Sequence, residues 1–458
     1  MSEHQRSHVG IVLLRKGGLA LTLVSAIVLS ACSGGGGAAA PNASAGGGCE
    51  PAAAGEVVHL TFTSWIPDFQ QVVDLWNSEN PNIQVDYTEV PEGSSGTYQN
   101  YLNQIKSGQT DDLGFIGYET LPTFLVQGGL KNFYDCPGVA DAKAQFLDSV
   151  WNLTSLGEAN TTYALGLDYG PDALYYRKDL FDAAGISVPT TWDEFLAAAQ
   201  TIKQDNGHIM NIDASGCPTF WPTLFQQSGA HWFSRNDNSW NVNLAGDDSK
   251  RAADYIQGLV DEELVTTYPC FQDEFTKAYN TGEIWATLGG PWMTSLLASV
   301  APDTSGNWQV APIPQWEAGE NRVPAWGGAA MAMFSGSAHP YEASQFAIWA
   351  TTSPEALALD NVNGGLYPPI RDVVSKVDVM QEGVAFYGNQ KVWEVFDEAA
   401  NNVTTDWTWG PTMTQVNADL SNEMAKAFAG DQTVFEALKA IQQKTLDAMA
   451  AEGIQTSQ

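Results

Sequence analysis

The sequence predicts an α/β chain, and three observations predict it. Apolar residues alternate in short runs, the segments between those runs repeat at three- and four-residue spacing, and the gaps joining the two patterns are short. In order along the chain, Val58, Leu60 and Phe62 alternate as a first strand. Phe69, Val72, Val73 and Trp76 then recur at helical spacing until Pro81 stops them. Ile83, Val85 and Tyr87 alternate again, Leu113 to Ile116 is a short apolar strand, and Leu121 to Val126 opens a helix. Further on, Leu174 to Tyr176 reads as a strand. Thr191-Trp192-Asp193-Glu194 reads as a capping box opening a helix through Ile202. Ala343, Phe346, Ala347 and Ala350 mark another helix, and Ser353-Pro354 caps the next with Pro at its first position. A stripe of Leu420, Met424 and Phe428 ends at Gly430, and Val434, Leu438 and Ile441 form the last. Such alternation predicts mainly parallel sheets.

The chain has 458 residues, enough for two or three domains at about 100–200 residues each. Its charge is one-sided, with 20 Lys and Arg against 53 Asp and Glu. Nucleic acid and anionic lipid surfaces both need clustered cations, so neither is an expected partner of this surface. A content of 16% charged and 44% hydrophobic residues is that of a globular protein, not of a disordered acidic one.

At the N-terminus, Arg15 and Lys16 precede an apolar run from Leu19 to Ala31 that ends in Leu29-Ser30-Ala31-Cys32. The run is short of the roughly 20 residues a helix needs to cross a bilayer, so residues 1–31 read as a secretory signal peptide. Its end resembles the bacterial lipobox. There Leu29 fills an apolar peptidase pocket, Ser30 and Ala31 are small enough to pass, and the thiol of Cys32 accepts a diacylglycerol. The resemblance implies an extracytoplasmic protein held on the cell membrane by lipid. Residues 32–55, nearly all Gly, Ala, Ser and Pro, read as a flexible tether, with the fold starting near Glu56. Four further cysteines, Cys49, Cys136, Cys217 and Cys270, are an even number in a non-reducing compartment and allow three disulfide pairings. None forms a Cys-x-x-Cys pair, the spacing that zinc or thioredoxin chemistry needs.

Catalytic and cofactor motifs are missing. His59, His208, His231 and His339 are far apart, and there is no His-Glu-x-x-His, Gly-x-Ser-x-Gly, phosphate-binding loop or dinucleotide fingerprint. Adjacent carboxylates such as Asp111-Asp112 are not the facing pair a glycosidase uses. Tyr175-Tyr176 invites comparison with ferric-ion carriers, but strand neighbours face opposite sides. No metal, cofactor or enzymatic activity is expected.

Sixteen tryptophans are more informative, because several sit beside glycine or proline. The contexts are Trp65-Ile66-Pro67, Trp221-Pro222, Gly290-Pro291-Trp292, Trp326-Gly327-Gly328 and Trp409-Gly410-Pro411. Rings held on loops suit sugars, since the C–H face of a pyranose packs on a π surface while carboxylates and amides bond the hydroxyls.

Over residues 56–450 the chain resembles the sugar-binding extracellular solute-binding proteins of ABC importers, the family that includes maltose-binding protein. The matching segments are Asn80-Pro81-Asn82-Ile83-Gln84-Val85, Asp112-Leu113-Gly114-Phe115-Ile116 with Gly129-Leu130, and Tyr163-Ala164-Leu165-Gly166-Leu167-Asp168 followed by Leu174 to Phe181. Pro189-Thr190-Thr191-Trp192-Asp193-Glu194, Gly289-Gly290-Pro291-Trp292 and Gln432 to Lys439 follow in family order. Ala164 and Arg177 stand where the family usually has Pro and Asn. Trp65-Ile66-Pro67 and Gly216-Cys217-Pro218 replace polar contacts of maltose-binding protein.

The resemblance implies a two-lobed periplasmic-binding-protein-like fold with a central ligand cleft and hinge crossovers near residues 166–169, 306–311 and 366–370. Lobe 1 takes 56–165 and 312–365, and lobe 2 takes 170–305 and 371–458. With each pair kept inside one lobe, the disulfides become Cys49–Cys136 and Cys217–Cys270. The implied ligand is a carbohydrate, passed on to the importer's permease subunits by a monomer. Trp292 is the implied stacking platform, and Asp168 and Glu119 are the hydroxyl acceptors. Trp65, Tyr118, Tyr169, Trp221, Trp326, Tyr367 and Trp409 are candidates for the walls. A polyamine, metal or peptide carrier, a secreted carbohydrate-active enzyme, and an adhesive lipoprotein are the competing readings.

Overall fold

The structure, a computed structural model, describes residues 48–213, 217–236, 239–270 and 272–457. The segments expected to be a signal peptide and most of a tether, with Cys32, lie outside the described residues. Thirteen strands are described: β1 (Val58–Ser64), β2 (Ile83–Glu89), β3 (Leu113–Gly117), β4 (Ala164–Gly166), β5 (Ala173–Arg177), β6 (Met210–Asn211), β7 (Phe233–Asn236), β8 (Ser239–Val242), β9 (Val265–Thr266), β10 (Ala286–Gly289), β11 (Trp308–Pro312), β12 (Ala329–Met333) and β13 (Thr456–Ser457).

The first lobe is built on a sheet of order β2-β1-β3-β12-β4. Val58, Leu60 and Phe62 of β1 are buried on one face, as the alternation predicts, whereas β3 and β12 are buried throughout and read as continuous apolar runs. The helix Gln70–Glu79 buries Val72, Val73 and Trp76, and the Trp76 indole donates to Ile83 O at 2.8 Å. The second lobe holds a sheet of order β10-β5-β11. The pair β6-β9 extends it, Trp285 N donating to His208 O and Ala286 N to Ile209 O.

Strands β1, β2 and β3 are parallel, as expected, but β12 runs antiparallel to β3 and β4, and β5 runs antiparallel to both β10 and β11. Although β6 runs parallel to β9, the expectation of mainly parallel sheets therefore fails for β10-β5-β11. Its cause is the path between lobes. β5 leaves the hinge, β10 and β11 return to it, and the register sets Ala173 opposite both Gly289 and Pro312. Apolar alternation carries no information about strand direction.

Three segments cross between the lobes and bond to one another. Leu167 N and Asp168 N donate to Ala329 O, Tyr169 N to Tyr367 O, Asp172 N to Pro324 O, and Trp326 N to Gly170 O. Gly170 permits this approach, because a Cβ there would overlap the Trp326 carbonyl. The second crossover was expected at 306–311 but lies later. Residues 308–312 are still β11, paired with β5, and the chain rejoins the first sheet only at Ala329.

Helix starts follow the local chemistry with one difference. Ser353 accepts from Ala356 N, with Pro354 next to it. Thr191 caps through Glu194 N, but the Glu194 carboxylate turns to Thr190, so only half of the expected box forms. The reciprocal box is at Thr433 and Glu436. Both disulfides, Cys49–Cys136 and Cys217–Cys270, are present. The first corrects the tether's length. With Cys49 bonded to Cys136 and Ala52 N donating to the buried Glu342 carboxylate at 2.6 Å, residues 48–55 are fastened to the first lobe.

Candidate functional site

The end of β3 and the crossovers open between the lobes, where open α/β sheets place their ligands. A cavity of about 880 Å³ lies there. Tyr118, Glu119 and Asn152 line it from the first lobe, Tyr169 and Gly327 from the crossovers, and Gln226, Trp240 and Trp409 from the second lobe. Among the described residues Arg235 is the one cation of this lining, and its guanidinium is held across the gap by Glu158 at 3.1 Å. The lobes also touch where Ser295 Oγ donates to Gly364 O at 2.8 Å.

Of the residues singled out from sequence, Glu119, Tyr118, Tyr169 and Trp409 line this cavity. The Tyr118 hydroxyl donates to Asp168 O at 2.8 Å, and its ring meets Tyr169 edge-on. Asp168 lies behind the lining in the hinge, where Oδ1 accepts Tyr367 N at 3.1 Å. Tyr367 itself is buried, with its hydroxyl on Asp397 at 2.7 Å. Ala325 and Gly327 face the cavity while the intervening Trp326 turns away, its Nε1 donating to Thr219 at 3.0 Å. Trp292 is half-buried outside the cavity, edge-on to Trp326 at 4.9 Å, with its indole N–H on the Trp326 carbonyl. Trp65 packs on Phe115 and Tyr98. Trp221 is fully buried between Phe220 and Phe428, so its ring belongs to the core and not to a wall.

Four carboxylates give the region its electrostatics. Burial pushes Glu119 up to about 7; the charge of Glu92 adds to the rise, and bonds from its own backbone N–H and the Tyr98 hydroxyl oppose it. Burial likewise takes Asp168 up to about 7, against the Tyr367 and Tyr169 backbone N–H groups. Asp172 and Asp360 are buried with no close side-chain partner, and burial raises both well above the usual carboxylate range, opposed at Asp172 by the Trp326 backbone N–H. Asp168's charge raises Asp360 further. Among the described residues none of the four is paired with a Lys or Arg.

Sequence reasoning missed Asp172 and Asp360. Asp360 sits in the helix Pro354–Gly364 after Ala356, Leu357, Ala358 and Leu359, and that break in an apolar run was the available signal.

Asp213, Cys217 and Cys270 come close enough to hold an ion, but both sulfurs are spent in the disulfide and neither is a thiolate. Tyr175 and Tyr176 donate to Gly290 O and Gln309 respectively, each held by its own part of the fold.

With this geometry, residues 62–356 match the bacterial extracellular solute-binding protein family, and the chain belongs to it. It is 26% identical over 376 residues to the lactose-binding protein of Rhizobium radiobacter, covering 76% of this chain and 83% of that one. The mannitol-binding protein of Pseudomonas aeruginosa is 28% identical over 210 residues, 43% of this chain and 47% of that one. Among solved structures, the galacto-N-biose/lacto-N-biose I-binding protein of the Bifidobacterium longum ABC transporter, in complex with lacto-N-biose, matches with a TM-score of 0.79. It is 29% identical, over 88% of this chain and all of that one. The transporter-associated binding protein of B. animalis subsp. lactis, in complex with β-1,6-galactobiose, shares the fold at a TM-score of 0.77 and 23% identity, over 88% of this chain and all of that one.

Proposed function

We propose that this protein captures a carbohydrate between its lobes and delivers it, unaltered, to the permease of an ABC importer. The observation that carries the reading is the cavity itself, lined from both lobes by indole and phenol rings and by uncharged hydrogen-bonding groups. Trp409, Tyr118 and Tyr169 offer faces for pyranose rings. Glu119, with Asp168 behind Tyr118 in the hinge, offers hydrogen-bonding partners for hydroxyls, and Trp292 serves as a platform when the lobes part. A sugar that touches both lobes stabilises the closed form by its differential affinity, and that form is what the permease recognises. The reading is supported by relatives that are binding proteins for lactose, mannitol and lacto-N-biose.

Lobe 1 comprises 56–165 with the segment from β12 to 365, and lobe 2 comprises 170–312 and 371–458. Cys32 carries the lipid. Two or more acyl chains hold such a protein stably on the membrane, and a short tether raises its effective concentration at the transporter.

A polyamine is the second reading, favoured by four buried carboxylates without a cation. One panel separates the two. Protein lacking residues 1–32 is titrated with mono- and oligosaccharides and with polyamines while tryptophan fluorescence is followed. A saturable change with one saccharide and no new product supports the carbohydrate reading. A response to amines alone, or to nothing, overturns it.

A further inference from the structure

We propose that the outer end of the cavity is a length-selecting subsite, built by β7, β8 and the C-terminal segment Gly453–Ser457, and that the ligand is a neutral oligosaccharide of at least three sugar units. The inference rests on the carbohydrate reading above and adds the size and charge of the sugar.

The cavity grades from buried to open. Tyr118 and Tyr169 at its inner end are almost fully buried, whereas the side chains of Arg235 and Glu158 at its mouth are 50% and 43% exposed. Its volume of about 880 Å³ is near the top of the roughly 300–1,000 Å³ that small-molecule clefts span. A single sugar unit leaves most of it unfilled. The mouth has a wall of its own. Strands β7, β8 and β13 form a small sheet separate from both main sheets. β13 pairs with β8, and Trp240 N donates to Gln455 O at 2.9 Å. The chain's last residues thereby hold β8 at the cavity edge, with Trp240, Gly453, Ile454 and Gln455 in the lining.

Trp240, Trp409 and Trp407, edge-on to Trp409, belong to the same lining as Tyr118, Tyr169 and Glu119 at the inner end. Aromatic surface beyond the inner contact, in a cavity of this size, matches a ligand longer than a disaccharide. The charge follows from Arg235. Among the described residues of the lining it is the one cation, and it is already bonded to Glu158, while Glu119 lies at the other end, so an acidic sugar meets no unpaired cation there.

The test compares protein lacking residues 1–32 with the same protein truncated after Glu452 and with Trp240→Ala. Calorimetry is run against β-1,6-linked galactose and α-1,4-linked glucose oligomers of two, three and four units. The expected result is a trisaccharide bound at least tenfold tighter than the disaccharide, with most of that preference lost in either variant. Should the truncated protein fail to fold, Trp240→Ala alone decides. A disaccharide bound as tightly as the trisaccharide overturns the inference and leaves the carbohydrate reading standing. So does a length preference that survives in both variants. Wild-type protein that binds neither series, nor any other saccharide of the panel above, removes the carbohydrate reading and this inference with it.

Discussion

Replacing Asp168 by Asn tests the hinge electrostatics directly. The Asn carbonyl still accepts Tyr367 N, so the crossover keeps its bond, but the buried ionisable group is gone. In the folded chain Asp168 titrates at about 7, against 3.8 when free. A raised carboxylate binds more protons folded than unfolded across that interval, so its contribution to stability falls as pH rises from about 4 to about 7 and is level above. Three pH units at about 1.4 kcal/mol each amount to about 4 kcal/mol, of which about 3 kcal/mol falls between pH 4.5 and 8. Urea unfolding of both proteins at those two pH values is the assay. The Asn variant is expected to gain stability over the wild type by about 3 kcal/mol more at pH 8 than at pH 4.5, and to bind sugar more weakly at both. An equal difference at the two pH values would show that Asp168 does not take up a proton on folding, and the argument from burial would fail.

Other perturbations have separate readouts. Removing the Cys49–Cys136 bond by double Ala substitution frees an 87-residue span and costs about 2–4 kcal/mol in urea unfolding, whereas an unchanged midpoint would mean the span is ordered without it. Arg235→Ala removes a half-exposed ion pair across the cavity mouth, worth less than about 1 kcal/mol, so stopped-flow release of the ligand speeds up by no more than about fivefold. Trp409→Ala weakens sugar binding by at least about tenfold, or about 1.4 kcal/mol, in calorimetry. Trp221→Phe acts on the fold instead, lowering stability by roughly 1–3 kcal/mol while affinity stays within about twofold. Equal affinity losses for these two tryptophans would contradict their placement.

Element order was legible in the sequence because burial on one face leaves a period that survives any tertiary arrangement. Val58, Leu60 and Phe62, or Leu420, Met424 and Phe428, need no partner to be recognised. Strand direction and crossover position depend on which side of the hinge the chain re-enters, and no local pattern in β11 or β12 records that. The tryptophans show the same limit. A neighbouring Gly or Pro marks a break in regular structure but not the direction of the ring. Pro222 begins a helix, and that helix carries Trp221 into the core. Between Ala325 and Gly327, which has a left-handed backbone, Trp326 turns from the cavity to Thr219 while its neighbours line it. Asp172 and Asp360 were invisible for a different reason: an acidic residue reads as solvated until the fold is seen to enclose it.

The fastening of residues 48–55 has a mechanical consequence. Cys136 and Glu342, which hold that segment, both belong to the lobe built on the first sheet. Residues 48–55 are therefore part of that lobe and not of the other. The opposite lobe joins it covalently through the three crossovers, and bonds such as Ser295 Oγ to Gly364 O link the two as well. A load applied at Gly48 thus reaches the first sheet before it reaches any crossover.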